Sequence, residues 1–151
     1  MKYFLSFVLC LYTSAALAAE DISGLWKTID DETGEAKSIV QIYEYQGMRF
    51  GRVIKLFKNV DKTAVGIKGE PKIVGLDVIW NLKDEGNRFK GGKILDPAKG
   101  KIYSSEAWIE DGKLIVRGKI GPFGRNQTWL KNDDSTVAAV QNPVPKIPEK
   151  E

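Results

Sequence analysis

Between Gly24 and Lys131 the sequence falls into eight short runs rich in β-branched and aromatic residues, each closed by a turn signal. That cadence constrains the fold more than any other feature, because strands joined by tight turns pair with their neighbours in the chain. The runs span 25–29, 37–45, 48–57, 76–82, 88–95, 101–109, 113–120 and 125–131. Gln46-Gly47 separates the second and third as a two-residue hairpin turn, Asp96-Pro97-Ala98-Lys99-Gly100 closes the fifth, and Glu110-Asp111-Gly112 closes the sixth. A longer connection, 58–72, precedes the fourth. No segment carries a helical period.

Alternation within the runs predicts a buried face. Met48, Phe50, Ile54 and Leu56 supply it on the third run, Leu76, Val78, Trp80 and Leu82 on the fourth, and Leu114, Val116 and Ile120 on the seventh. The interleaved Arg49, Lys55, Asp77, Lys83, Arg117 and Lys119 suit solvent. Successive hairpins without a long crossover predict an all-β chain, a single small antiparallel up-and-down β-barrel of about eight strands that leaves no edge exposed. The interior of such a barrel is filled by side chains or sized for one small ligand. An open β-sandwich is the rival architecture.

The two ends read differently from the middle. Residues 1–18 have the pattern of a secretory signal: Lys2 as a short positive region, an apolar stretch over 3–12, and Ala16-Leu17-Ala18 as the cleavage site. The expected mature chain starts at Ala19 in a periplasmic location, with a barrel domain over 19–131 and no transmembrane segment, because a span needs about 20 apolar residues. A lipid anchor on Cys10 is disfavoured by Leu9, since a lipobox places a small residue there. Residues 132–151 carry Pro143, Pro145 and Pro148 among charged and small residues without an aromatic. They read as a flexible proline-containing tail.

Composition removes whole classes of chemistry. The chain of 151 residues contains no histidine, and its one cysteine, Cys10, lies in the signal segment. Neither a metal site built on thiolate or imidazole nor a Ser-His-Asp or Cys-His mechanism has its residues in the mature chain, and no cofactor motif is visible. Positive and negative residues alternate instead of forming the basic stripe of a nucleic-acid binder. Asp77, Asp96 and Glu106 are available carboxylates, but no spacing places two of them together for a glycosidase mechanism. Gly91-Gly92 is followed by no helix, so it reads as a bend or a close backbone approach and not as a phosphate cradle.

Six residues stand out as candidate ligand contacts. Arg52 and Glu106 interrupt apolar faces, and if both point inward they pair, since a buried charge requires a partner. Such a pair would anchor an acidic or zwitterionic ligand; a solvent-facing strand or a structural ion pair is the alternative. Trp80 and Trp108 supply aromatic packing, either to a pocket or to the core. Arg125 and Gln127 open the last run. Gly24-Leu25-Trp26 together with Arg125 is similar to the lipocalin-like arrangement, in which a G-x-W tryptophan at the closed end is covered by a basic side chain of the final strand.

Trp26, Ser38-Ile39-Val40, the segment 91–97, Gly100-Lys101 with Tyr103, Val116-Arg117-Gly118, and Gly121-Pro122-Phe123-Gly124-Arg125 with Gln127 and Trp129 form an ordered series. It resembles the exported bacterial family catalogued as domain of unknown function 2147. The resemblance covers roughly 22–131 and implies a small, secreted, mainly β protein, without catalytic residues to carry over. Leu95 stands where members often have an aromatic, and the 121–125 loop lacks the cysteine often found there. The expected function is non-enzymatic binding of a small amphipathic ligand inside the barrel. The alternative is an envelope protein-interaction or stress-associated module acting through its rim, the 58–72 loop and the tail.

Overall fold

The computed structural model describes residues 14, 15 and 17–151. Most of the expected signal segment, including Cys10, lies outside the described residues. The chain forms β1 (Gly24–Ile29), β2 (Ala36–Tyr45), β3 (Met48–Leu56), β4 (Asp77–Asp84), β5 (Phe89–Asp96), β6 (Lys101–Glu110), β7 (Lys113–Ile120) and β8 (Phe123–Lys131). Each strand pairs antiparallel with the next, and β1 pairs with β8 to close the barrel. The expected fold is the observed one, and strand limits differ from the sequence reading by no more than two residues.

Turn chemistry explains the hairpins. Gln46-Gly47 and Asp111-Gly112 adopt φ values of 48°, 78° and 51°, 73°. Left-handed conformations at both central residues match the twist of the flanking strands. Asp96 Oδ1 accepts the Ala98 and Lys99 amides at 3.0 and 3.3 Å, holding the turn between β5 and β6. In β5, a Cβ on Gly92 would stand 2.7 Å from the Leu82 side chain and from the Trp80 carbonyl oxygen, so the glycine there is a close backbone approach.

One end of the barrel is packed shut. Ile22, Trp26, Leu82, Phe89, Ala107 and Leu114 are all buried there or along the barrel axis. The Trp26 indole N–H donates to the Ile22 carbonyl at 2.8 Å, and Lys131 lies 5.6 Å over its ring. The basic side chain over the G-x-W tryptophan is thus Lys131, not Arg125. The register explains the correction: Trp26 stands opposite Lys131, and Arg125, six residues along an extended strand, lies about 20 Å away towards the other end.

Burial departs from simple alternation on β2, β3 and β4, where both faces are covered. A Cβ on Gly51 would meet Val40, Ile42 and Ile79, which marks these residues as inward. Gln41, Tyr43, Phe50 and Arg52, at the intervening positions, therefore point outward, yet all are buried. Phe50 stacks on Tyr43 with ring centroids 5.7 Å apart, and residues 132–151 cover Gln41 and Arg52. In place of the free tail expected, this segment runs across the outside of the barrel. Gln41 bonds both the N–H and the C=O of Val140, Arg52 donates to the Val144 carbonyl at 2.6 Å, and Asp77 accepts the Lys146 amide at 2.6 Å. Extra residues in the ladders also shift the faces. The pairing skips Ile54, so Phe50 faces out and Leu56 faces in. On β4 the skipped positions leave Trp80 opposite Lys93 on the outer side.

Asp77, assigned to solvent by alternation, is fully buried. Its carboxylate accepts Arg52 Nη2 at 3.1 Å and the Tyr43 hydroxyl at 3.0 Å. Burial and then the Asp77 charge push the Tyr43 hydroxyl far above its ordinary pKa. Burial alone would lower the Arg52 guanidinium, but Asp77 outweighs it and holds the group protonated.

Two substitutions follow from this packing. Gly92→Ala is expected to cost about 1–3 kcal/mol in urea unfolding through overpacking, whereas Gly118→Ala, whose nearest contact is 3.6 Å away at Tyr103 Cβ, should be neutral or slightly stabilising. Asp77→Ala strands the Arg52 charge beneath the covering segment and is expected to cost about 3–5 kcal/mol in the same measurement.

Candidate functional site

The other end of the barrel is open. Inward positions on successive strands there carry Val40, Val53, Val78, Ile94, Val116 and Trp129, which wall a cavity of about 660 Å³. Its polar wall groups are Thr28, Ser38, Tyr103 and Gln127. Thr28 Oγ1 and Ser38 Oγ lie 2.7 Å apart and satisfy each other. The Trp129 indole N–H donates to Gln127 Oε1 at 3.1 Å. One rung below the Tyr103–Ile94 pair, Ser105 stands between Gly92 and Gly118. Its Oγ is buried without a partner, the one such side-chain atom among the described residues.

Charged residues ring the mouth. The β1–β2 turn contributes Asp30, Asp31, Glu32 and Glu35, the connection after β3 contributes Lys58 and Lys62, and the β5–β6 turn contributes Lys99. Arg125 pairs with Asp31, and Lys58 with Glu35 at 2.7 Å. Backbone amides of Thr33 and Glu32 hold the Asp30 carboxyl below its ordinary pKa. Lys37, Lys62 and Lys99 have no ion-pair partner among the described residues. The site is thus an apolar pocket with a few hydroxyl and amide groups on its wall and a mixed ring of acidic and basic side chains at its entrance.

Of the six residues singled out from sequence, Arg125 and Gln127 line this cavity. Arg52 lies on the outer face of β3 beneath the C-terminal segment, and Trp80 lies outside the cavity on β4. Glu106 and Trp108 alternate with the inward Ser105 and Ala107, so they face outward on β6. The expected Arg52–Glu106 pair does not form. Arg52 pairs with Asp77, while Glu106 accepts Lys119 Nζ at 2.7 Å and Arg88 Nη1 at 3.4 Å. Arg88 in turn stacks 4.0 Å from the Trp108 ring centroid. Sequence reasoning missed Thr28, Ser38 and Tyr103, whose inward direction follows only from register. No group of three or more potential metal ligands comes together among the described residues.

The Lys119 ammonium, against the opposing effect of partial burial, draws the Glu106 carboxyl below its ordinary 4.5. A lowered folded-state pKa contributes stability that is present above the unfolded value and is lost as pH falls through the folded one. Glu106→Gln should therefore cost less than about 1 kcal/mol at neutral pH and remove part of the acid-induced loss below pH 4.5, read by thermal melts across pH.

Comparisons with known proteins agree with this architecture. Among solved structures, the chain is similar to protein HP1028 from Helicobacter pylori, described as belonging to the lipocalin family, with a TM-score of 0.64 and 21% identity over 77% of this chain and 86% of that one. At that identity the likeness is one of fold. No curated protein matches. No helix among the described residues is long and apolar enough to cross a membrane. The model of a family described as an uncharacterized protein conserved in bacteria matches residues 24–131, the whole of the barrel, and the chain belongs to that family, DUF2147.

Proposed function

We propose that the chain is a periplasmic, non-enzymatic binding protein that holds one small amphipathic ligand in the open end of its barrel. The observation that carries this reading is the cavity itself. Its volume of about 660 Å³ sits within the range of small-molecule pockets, and its walls are mostly apolar with a few placed polar groups. An aliphatic or aromatic body fits against Val40, Val53, Val116 and Trp129, with its polar atoms near Tyr103 and Gln127. Lysines and carboxylates together at the entrance favour a zwitterionic or otherwise polar head. A periplasmic location is supported by the signal pattern of 1–18.

Tryptophan emission tests the proposal, because Trp129 forms part of the cavity wall. Titration with dodecylphosphocholine or with dodecanoate, which carry the same alkyl chain on a zwitterionic and an anionic head, should give a saturable change. Gly118→Phe places a ring in the cavity and should abolish the response with the melting temperature kept. Lack of a saturable response to either probe in the wild-type protein would sink the proposal.

A further inference from the structure

The segment covering β2–β4 is held in an unusual way. From Val137 onward, every hydrogen bond between it and the rest of the chain, among the described residues, uses its main chain. Gln41 reads both polar groups of Val140, at 3.0 Å to the carbonyl and 2.8 Å to the amide. Four residues on, Arg52 takes the Val144 carbonyl, and two further on Asp77 takes the Lys146 amide. The 66–68 loop then adds the chain as a short strand, with Ile67 opposite Lys150 and the Lys68 amide on the Glu149 carbonyl at 2.8 Å. Three of the segment's larger apolar side chains are turned largely outward: Val140, Val144 and Ile147 are 43%, 59% and 47% exposed. Val137, Pro143 and Pro145 are half-buried, and Pro148 is buried beside a groove lined by Pro71, Val74 and Leu76.

Side-chain anchors spaced to receive main-chain groups, an edge that accepts a strand, and one proline pocket are the components of an extended-peptide site. The anchors exist independently of the segment. Arg52, Asp77 and Tyr43 are already bonded to one another, and Gln41 is fixed on β2. We infer that the outer face of β2–β4 is a binding groove for an extended, proline-containing peptide, occupied in cis by residues 137–151 of the same chain. When that segment leaves, the same segment of a second copy of this chain, which carries the identical main-chain groups and Pro148, takes its place.

The test keeps the whole chain. A protease site inserted between the exposed Ser135 and Thr136 allows the segment to be cut from the folded barrel yet remain bound. A fluorescent synthetic peptide of residues 137–151 should then exchange in and bind saturably. Methylating the peptide nitrogen of Lys146, which removes the proton given to Asp77, should weaken binding about tenfold or more, and so should Gln41→Ala in the barrel. Exchanging Val140, Val144 and Ile147 for other residues should change it by less than about threefold. A cut protein that retains its near-ultraviolet circular dichroism yet takes up no peptide overturns the inference, as does binding that ignores N-methylation but tracks the valines. Hydrogen exchange on the uncut protein gives an independent reading: the Val140 and Lys146 amides should open together and before the barrel amides. Opening only with global unfolding contradicts an exchangeable occupant.

Discussion

The molecule depends on one seam. Seven of the junctions between neighbouring strands are hairpin ladders or near-continuous pairings, but β1 and β8 come from opposite ends of the barrel sequence and meet through Trp26–Lys131 and Lys27–Leu130. The Asn132 amide, bonded to the Leu25 carbonyl at 2.9 Å, extends that contact by one residue. Closure removes both exposed edges and creates an inside. The seam lies at the closed end; β8 runs on past its paired residues towards the mouth, where the Arg125–Asp31 ion pair joins it to the β1–β2 turn. A shut floor and an open entrance thus follow from where the first and last strands touch.

The same geometry separates two kinds of burial. Inside, residues on alternate positions pack an apolar floor and then stop, leaving the cavity. Outside, β2–β4 bury a second layer, in which the aromatic Tyr43 and Phe50 accompany the polar Gln41, Arg52 and Asp77, the last three bonded to the C-terminal segment. Asp77 accepts from Arg52 and Tyr43, and Arg52 and Asp77 then extend further bonds to main-chain atoms of the covering segment. Removing Asp77 or Arg52 would leave the other charge buried without its partner. The role of this cluster is distinct from that of the cavity, which lies on the opposite side of the same strands.

Much of the architecture was legible in the sequence because hairpin turns announce themselves locally. Gln46-Gly47 and Asp111-Gly112 place strand ends to within a residue or two, and the crowding at Gly92 was foreshadowed by a paired glycine inside a β run. What was hidden depends on register. A single skipped residue, Ile54 on β3, exchanges inner and outer faces, so Phe50 and Leu56 look equivalent in sequence yet point oppositely. Arg52 and Glu106 looked like one pair because both interrupt apolar runs; each instead found partners on its own neighbouring strands. The C-terminal segment gave no compositional sign of order, since from Val137 onward its hydrogen bonds to the barrel use its main chain, and main-chain recognition leaves no residue pattern to read.

The central claim is that the closed barrel holds a small molecule at its open end. Native mass spectrometry of the protein, purified gently from the cells that make it and compared with its denatured mass, tests this most directly. The account predicts a reproducible additional mass of small-molecule size that disappears on denaturation and is lost in Gly118→Phe. A native mass equal to that of the bare chain in every gentle preparation, or an adduct that Gly118→Phe retains, would contradict it.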